Sequence, residues 1–377
     1  MELISFSLSR VCPSRLGSLV FGDVTVSTPV VLFYTQAGSV PHLTSDNVER
    51  ILKQPHPLVV PLQTTHRMHR SVSAFGKGIA SFCGFSERHP FLQIIQDPLK
   101  ETLTGFNDSS GVCIFDDCGK SQLTPQSLTD LTAVFRPVAY QALTDGDTPK
   151  DCSNKRLSHS VKRSTDYLDI CLRTKDEQGV RSCLLASIQG GYNEVSRRFS
   201  VSDVIKRNQD KIAGYILDGF HMNGEQTAEL QFSSIKNLVE SVIQCLPESK
   251  PRFMFGCFQP ELIIQLARAG VDCFDSSYAC LQTDKNRALV FTFEEVRDAV
   301  EQSRYLQLDD ADKYKSDLSV ISQDCQCYAC REGFSRAYIN HLLHTRELLA
   351  HVLLQMHNLH HFFQFFERLR ADLAREE

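Results

Sequence analysis

Short apolar runs alternate with stretches of helical periodicity along most of this 377-residue chain, and that alternation limits the folds open to it. Strand-like runs fall at Pro29–Tyr34, Leu58–Leu62, Val112–Phe115, Val138–Leu143, Cys183–Gln189, Gly214–Leu217, Arg252–Phe258, Cys273–Asp275 and Ala288–Phe293. Between them, Asn154–Leu172 and Glu225–Cys245 carry apolar residues at helical spacing, and Pro260–Ala269 starts on proline and stops before Gly270. Strands separated by helices predict a parallel sheet with crossover connections. About eight core strands suit a closed (β/α)8, TIM-like barrel of the α/β class; the alternative is an open, doubly wound sheet. The strict alternation from Leu3 to Leu8 predicts an N-terminal β-ribbon rather than a transit peptide. Residues 1–305 therefore read as a barrel with N-terminal strands. The turns Ile188-Gln189-Gly190-Gly191 and Leu217-Asp218-Gly219-Phe220 belong at its C-terminal face, where barrels bind ligands.

Residues 306–377 read differently. Leu306–Gln323 is polar, with Asp309, Asp310, Asp312, Lys313, Lys315 and Asp317, and predicts a solvated connection. Phe334–Leu373 is helical and apolar, through Tyr338, Leu342, Leu349, Leu353, Met356, Phe363 and Phe366. Its run Phe362-Phe363-Gln364-Phe365-Phe366 is too apolar for one stripe, so it either packs on the barrel or meets a partner. Between the two stretches, Cys325, Cys327 and Cys330 form a C-x-C-x-x-C cluster. Three thiolates so close can converge on one small cation, and histidines 341, 344, 351, 357, 360 and 361 offer a fourth ligand. One structural zinc per chain is the expectation, because four protein ligands leave no open position for water.

The remaining cysteines, out of 14, are scattered among apolar neighbours, as reduced core thiols in a cytoplasmic setting would be. A net charge of −5 and a pI near 6.2 exclude a global polycation, so any contact with nucleic acid has to be local. Lys155, Arg156, Lys162 and Arg163 are one candidate phosphate contact, or a solvated helix face. No apolar run approaches the roughly 18 residues of a membrane-spanning helix.

Larger motifs point to a family. Cys325-Gln-Cys327-Tyr-Ala-Cys330, Ser335-Arg336-Ala337-Tyr338-Ile339-Asn340-His341-Leu342 and Met356-His357-Asn358 resemble the zinc subdomain of tRNA-guanine transglycosylases. Thr28-Pro29-Val30, Thr35 to Thr44, Ile188-Gln189-Gly190-Gly191 and Gly270 to Asp275 resemble that family's barrel segments. The resemblance spans about residues 10–370 and implies a (β/α)8 barrel with a zinc-bearing helical subdomain. It selects His357 as the fourth ligand beside Cys325, Cys327 and Cys330. It also implies base exchange on tRNA through a carboxylate nucleophile, a second carboxylate for proton transfer and a third that reads the base.

Here the chain departs from the pattern. Asp275 stands at the nucleophile position, but the loop of the second carboxylate is absent, and Asn107-Asp108-Ser109-Ser110 is only an echo of it. Thr144 replaces the base-reading carboxylate in Ala142-Leu143-Thr144-Asp145, and Phe220 enters a loop that is glycine-rich in the family. Asp275 is therefore read as a vestige at a strand end, and Gln189 as a polar strand-end residue. Leu143-Thr144-Asp145-Gly146, Leu217 to Phe220 and Leu349 to Asn358 resemble the family's non-catalytic eukaryotic chains more closely. That resemblance implies a heterodimer with a catalytic queuine tRNA-ribosyltransferase chain, which replaces guanine by queuine at the wobble position of GUN-anticodon tRNAs. It further implies tRNA binding, possible homodimers in isolation and an association with the mitochondrial outer membrane. A self-sufficient transglycosylase working through Asp275, or a zinc-stabilised barrel with an unrelated partner, are the competing readings.

Overall fold

A computed structural model describes residues 3–10, 15–52, 54–86, 88–300 and 302–375. Its chain begins as a three-stranded antiparallel sheet, β1 (Ile4–Arg10), β2 (Leu16–Phe21) and β3 (Val24–Thr28), as the alternating N-terminal pattern predicted. Eight parallel strands then close into a barrel in chain order: β4 (Val30–Tyr34), β5 (Leu58–Pro61), β6 (Phe91–Ile94), β9 (Ala139–Gln141), β10 (Cys183–Ile188), β11 (Gly214–Leu217), β12 (Arg252–Phe253) and β13 (Cys273–Asp275). Pairing of Cys273, Phe274 and Asp275 with Val30, Val31 and Leu32 completes the ring. A hairpin, β7 (Val112–Asp116) and β8 (Gly119–Leu123), interrupts the series between β6 and β9.

Both faces of the barrel wall are buried, which is why its strands read as continuous apolar runs. Val30, Leu32, Val59, Leu92, Leu185, Ile216, Phe253 and Cys273 fill the interior, joined by Ile4, Leu19 and Phe21 from the N-terminal sheet. Their neighbours along each strand, such as Val31, Phe33, Val60, Leu184 and Phe274, share the larger core with the surrounding helices. Helix ends follow the expected chemistry. Thr124 and Ser127 form a capping box at the start of Pro125–Phe135, and Asn154–Gln178 runs from a Ser153 cap to Gly179 in the left-handed conformation.

Two of the expected barrel strands lie elsewhere. Val112–Phe115 forms half of the hairpin, and the strand in its place is β6, whose apolar run is broken by Gln93. The Gln93 amide donates to Thr132 Oγ1 at 2.9 Å on the adjacent helix, so a polar residue is tolerated in the wall. Ala288–Phe293 contributes to β14 (Arg287–Leu289), which pairs antiparallel with β15 (Tyr305–Gln307) outside the barrel. The polar segment after it is not a plain solvated connection. Leu308, Tyr314 and Ile321 enter a small second core with Cys325, Cys327, Cys330, Ile339, Leu342, Leu353 and Leu354.

The helix Leu348–Leu373 joins that core to the barrel. Its first half packs Ala350, Leu353 and Leu354 into the small core, and its second half packs Leu359, Phe362, Phe365, Phe366 and Leu369 into the large one. Phe363 is half-buried and stacks obliquely on Phe33 with ring centroids 4.7 Å apart. The phenylalanine run is thus consumed within the chain. No helix among the described residues is long and apolar enough to cross a membrane. The thirteen described cysteines are all free; Cys12 lies outside the described residues.

Candidate metal centre and barrel mouth

The cysteine cluster sits on a knuckle. Cys327 caps the short helix Tyr328–Arg331, its sulfur accepting the Cys330 N–H at 3.4 Å, while Cys325 Sγ accepts the Cys327 N–H at 3.5 Å. Both bonds turn sulfur lone pairs inward and fix the three side chains. His357 approaches from the long helix with Nδ1 at 3.6, 3.5 and 3.4 Å from the sulfurs of Cys325, Cys327 and Cys330. All four ligand atoms are buried and lie within 4.8 Å of one another.

These spacings suit a single tetrahedral cation. Metal–sulfur bonds of about 2.3 Å and metal–nitrogen bonds of about 2.0–2.1 Å give S···N edges of about 3.6 Å. His357 Nε2 donates to the Leu289 carbonyl at 2.7 Å, which turns Nδ1 toward the cysteines. Asn358 secures the same strand: its Oδ1 accepts from Leu289 N at 2.8 Å, and its amide donates to Arg287 O at 2.8 Å and Thr283 Oγ1 at 2.9 Å. Hydrogen bonds from Cys325 and Cys327 hold the Cys330 thiol well below its ordinary range. Burial opposes charge on His357, but the thiols of Cys325 and Cys330 outweigh it and raise the imidazolium to about 10. The site is built to collect positive charge. Among the other candidate histidines, His344 bonds its own helix through Asn340 O, His351 stacks on His42, and His361 stacks beside His357.

At the C-terminal mouth of the barrel, Asp275 ends β13, fully enclosed. Its Oδ2 accepts from Gly256 N and its Oδ1 from Ser277 N, both at 2.7 Å, and burial raises its pKa to about 6. A second buried carboxylate lies nearby, Asp97, at the end of the segment following β6. Tyr34 OH donates to it at 2.7 Å and Leu99 N at 2.9 Å, and burial raises its pKa as well. Sequence reading missed Asp97 because it missed β6. The Gln-Asp-Pro string directly after an interrupted apolar run was the available signal.

The rest of the mouth is tied to itself. Thr144 Oγ1 accepts from Gln189 Nε2 at 2.7 Å, and the same amide donates to Asp218 at 2.9 Å. Gln189 is thus a strand-end residue held by its own barrel. Asp145 turns outward to Arg156, at 2.9 and 2.5 Å, and to Arg163 at 3.2 Å. Of Lys155, Arg156, Lys162 and Arg163, the two arginines therefore serve an internal ion cluster, and the two lysines remain exposed. Phe220 is buried under the Arg197 guanidinium, 3.4 Å from its centroid. Arg197 has no carboxylate ion pair among the described residues; it donates to Gly191 O at 2.6 Å, and burial lowers its pKa to about 9. Gly190, at φ +134°, is required there, since a Cβ would fall 2.6 Å from Arg197 N.

Residues 98–111 cross this mouth as a strap. Thr102 N donates to Met222 O at 2.7 Å, Gly105 N to Asp147 at 2.6 Å and Asn107 Nδ2 to Asp145 at 2.9 Å, while Arg163 donates to Asn107 O at 2.9 Å. Tyr167 OH closes the far end on the carbonyls of Asp108 and Gly111.

A parallel (β/α)8 barrel carrying a Cys3His centre on an appended helical unit defines the class of protein. The family model for queuine tRNA-ribosyltransferase matches residues 11–377, and the chain belongs to that family. Among its relatives is the queuine tRNA-ribosyltransferase accessory subunit 2 of Ixodes scapularis, 40% identical over 374 residues, covering 96% of this chain and 93% of the relative. The proteins of the same name from Aedes aegypti and Drosophila virilis are 34% and 36% identical, each covering 100% of this chain and 90% of the relative.

Proposed function

We propose that this chain is a non-catalytic accessory subunit that pairs with a catalytic queuine tRNA-ribosyltransferase chain. In that heterodimer it helps hold tRNA while guanine is exchanged for queuine at the wobble position of GUN-anticodon tRNAs. The observation that carries the reading is the state of Asp275. Both carboxylate oxygens are engaged by main-chain N–H groups in a fully buried position, and Thr144 stands where a base-reading carboxylate is needed. A nucleophile has to be open to its substrate, and this carboxylate is enclosed at the strand end. The full-length similarity to proteins named as accessory subunits supports the same conclusion.

Cys325, Cys327, Cys330 and His357 would hold one structural zinc, whose role is to clamp the knuckle to the long helix. The barrel mouth is left as a scaffold. The test is an exchange assay with labelled queuine or guanine and a GUN tRNA, run on each chain alone and on the pair. Incorporation is expected only in reactions containing the catalytic chain, with a higher rate when both are present. Turnover by this chain alone, abolished in Asp275→Ala, would overturn the proposal.

A further inference from the structure

The strap across the barrel mouth carries a feature its anchoring does not explain. Phe106 is 43% exposed although it belongs to a segment fastened on both sides, at Gly105 through Asp147 and at Asn107 through Asp145 and Arg163. Its ring meets Phe115 of the hairpin edge-on, with centroids 4.9 Å apart at 64°. Lys120, from the other hairpin strand, places its ammonium 5.4 Å from the Phe106 centroid. Leu103, 48% exposed, lies three residues along the same strap.

Exposed phenylalanine normally sits on a mobile tip or packs inward. Here the backbone on either side is pinned, so the ring is presented at fixed orientation and little side-chain entropy remains to be lost on binding. The nearby acids are already engaged. Asp108 accepts from Ser110, Gly111 and Gln122, Asp116 pairs with Arg67, and Asp117 pairs with Lys100. Lys120 has no carboxylate partner among the described residues beyond its approach to the ring. A rigid, solvent-facing aromatic with an uncommitted ammonium beside it matches an unpaired nucleotide, in which a base stacks on the ring and its phosphate meets the cation.

We propose that Phe106, seated on Phe115 and flanked by Lys120, is a stacking platform for an unpaired base of RNA at the rim of the barrel mouth. The site deepens the tRNA-holding role proposed above and rests on it. Stacking on one ring is sequence-tolerant, because every base offers a π-face, so the platform contributes affinity and position rather than sequence reading.

The chain contains no tryptophan, so Phe106→Trp supplies a single fluorophore at the platform. Titrating this variant with a single-stranded RNA of about ten nucleotides, and with an anticodon stem-loop, is expected to quench its fluorescence, whereas fully paired RNA of equal length does not. Phe106→Ala and Phe106→Leu are expected to weaken RNA binding about tenfold, and Lys120→Ala to weaken it less and to lower its salt dependence. Wild-type affinity in Phe106→Leu would overturn stacking, since leucine retains the apolar bulk without the π-face. Equal quenching by paired RNA would overturn it in favour of phosphate binding alone. Quenching by the catalytic chain without RNA would overturn it in favour of a protein interface. These arms require no exchange activity. Quenching with no gain in exchange would sink the accessory role, and a gain in exchange without quenching would sink this site.

Discussion

His357 Nε2 lies 2.7 Å from the Leu289 carbonyl oxygen, and that contact decides which ring nitrogen faces the three cysteines. The ligand and the strand β14 are thereby one unit. A cation at the centre would fasten the knuckle, the two-stranded sheet and the long helix together.

Removal of one ligand is expected to undo that unit without unfolding the barrel. Cys327→Ser or His357→Ala should lose about one equivalent of zinc per chain by elemental analysis. Limited proteolysis should then cut within residues 306–347, while the barrel remains protected. A variant that loses metal but keeps the native cleavage pattern would show that the cation is not the brace.

Asn358 tests the strand attachment separately from the metal. Asn358→Ala removes one acceptor and two donor contacts at a fully buried position. It should cost about 3 kcal/mol in chemical denaturation, since buried backbone groups lose their partners. Metal content measured below the transition is expected to stay near one per chain.

The Asp145 cluster should respond to loss of its cations. Asp145 is fully buried, and Arg156 and Arg163 hold it from one helix. Arg156→Ala leaves that carboxylate underpaired and is expected to cost about 3 kcal/mol. Because Asn107 shares the cluster, amide exchange in residues 102–111 should accelerate more than exchange in the barrel strands.

Burial raises the carboxyl of Asp275 from its ordinary 3.8 to about 6. The folded state thus holds that proton more tightly than the unfolded state does. Its contribution to stability is present below pH 4 and is lost as pH rises towards 6, to a total of about 3 kcal/mol. Asp275→Asn cannot titrate. Urea unfolding of both proteins from pH 4 to 7 is expected to show the difference between them shifting towards the variant as pH rises. A difference independent of pH would place the Asp275 carboxyl near its ordinary range.

Much of this architecture was legible because its signals are local. Apolar runs mark strands buried on both faces, and cysteines two and three residues apart can reach one cation whatever the rest of the chain does. Strand membership was harder to read. Val112–Phe115 is as apolar as the barrel strands, and its hairpin pairing with Gly119–Leu123 is a fact about partners that the run itself does not carry. The strand Phe91–Ile94 was obscured because its one polar side chain finds Thr132 across the helix layer. In the stretch before the cysteines, Leu308, Tyr314 and Ile321 are too widely spaced to signal burial, yet they form a core once the long helix returns over them.

By itself the sequence determined the alternation of strands and helices, the cysteine cluster that can collect a cation, and Thr144 and Phe220 as departures from the family's motifs, since each follows from residue types at short spacing. Tertiary structure decided the distances at which His357 meets the cysteines, that Asp145 faces two arginines instead of the mouth, that Asp97 stands near Asp275, and that Phe106 is held in solvent. Each of these depends on residues far apart in the chain, such as Cys325 and His357 at a separation of 32 or Asp275 and Gly256 at 19. Spacing along the chain carries no information about such meetings until the barrel closes and sets their distances.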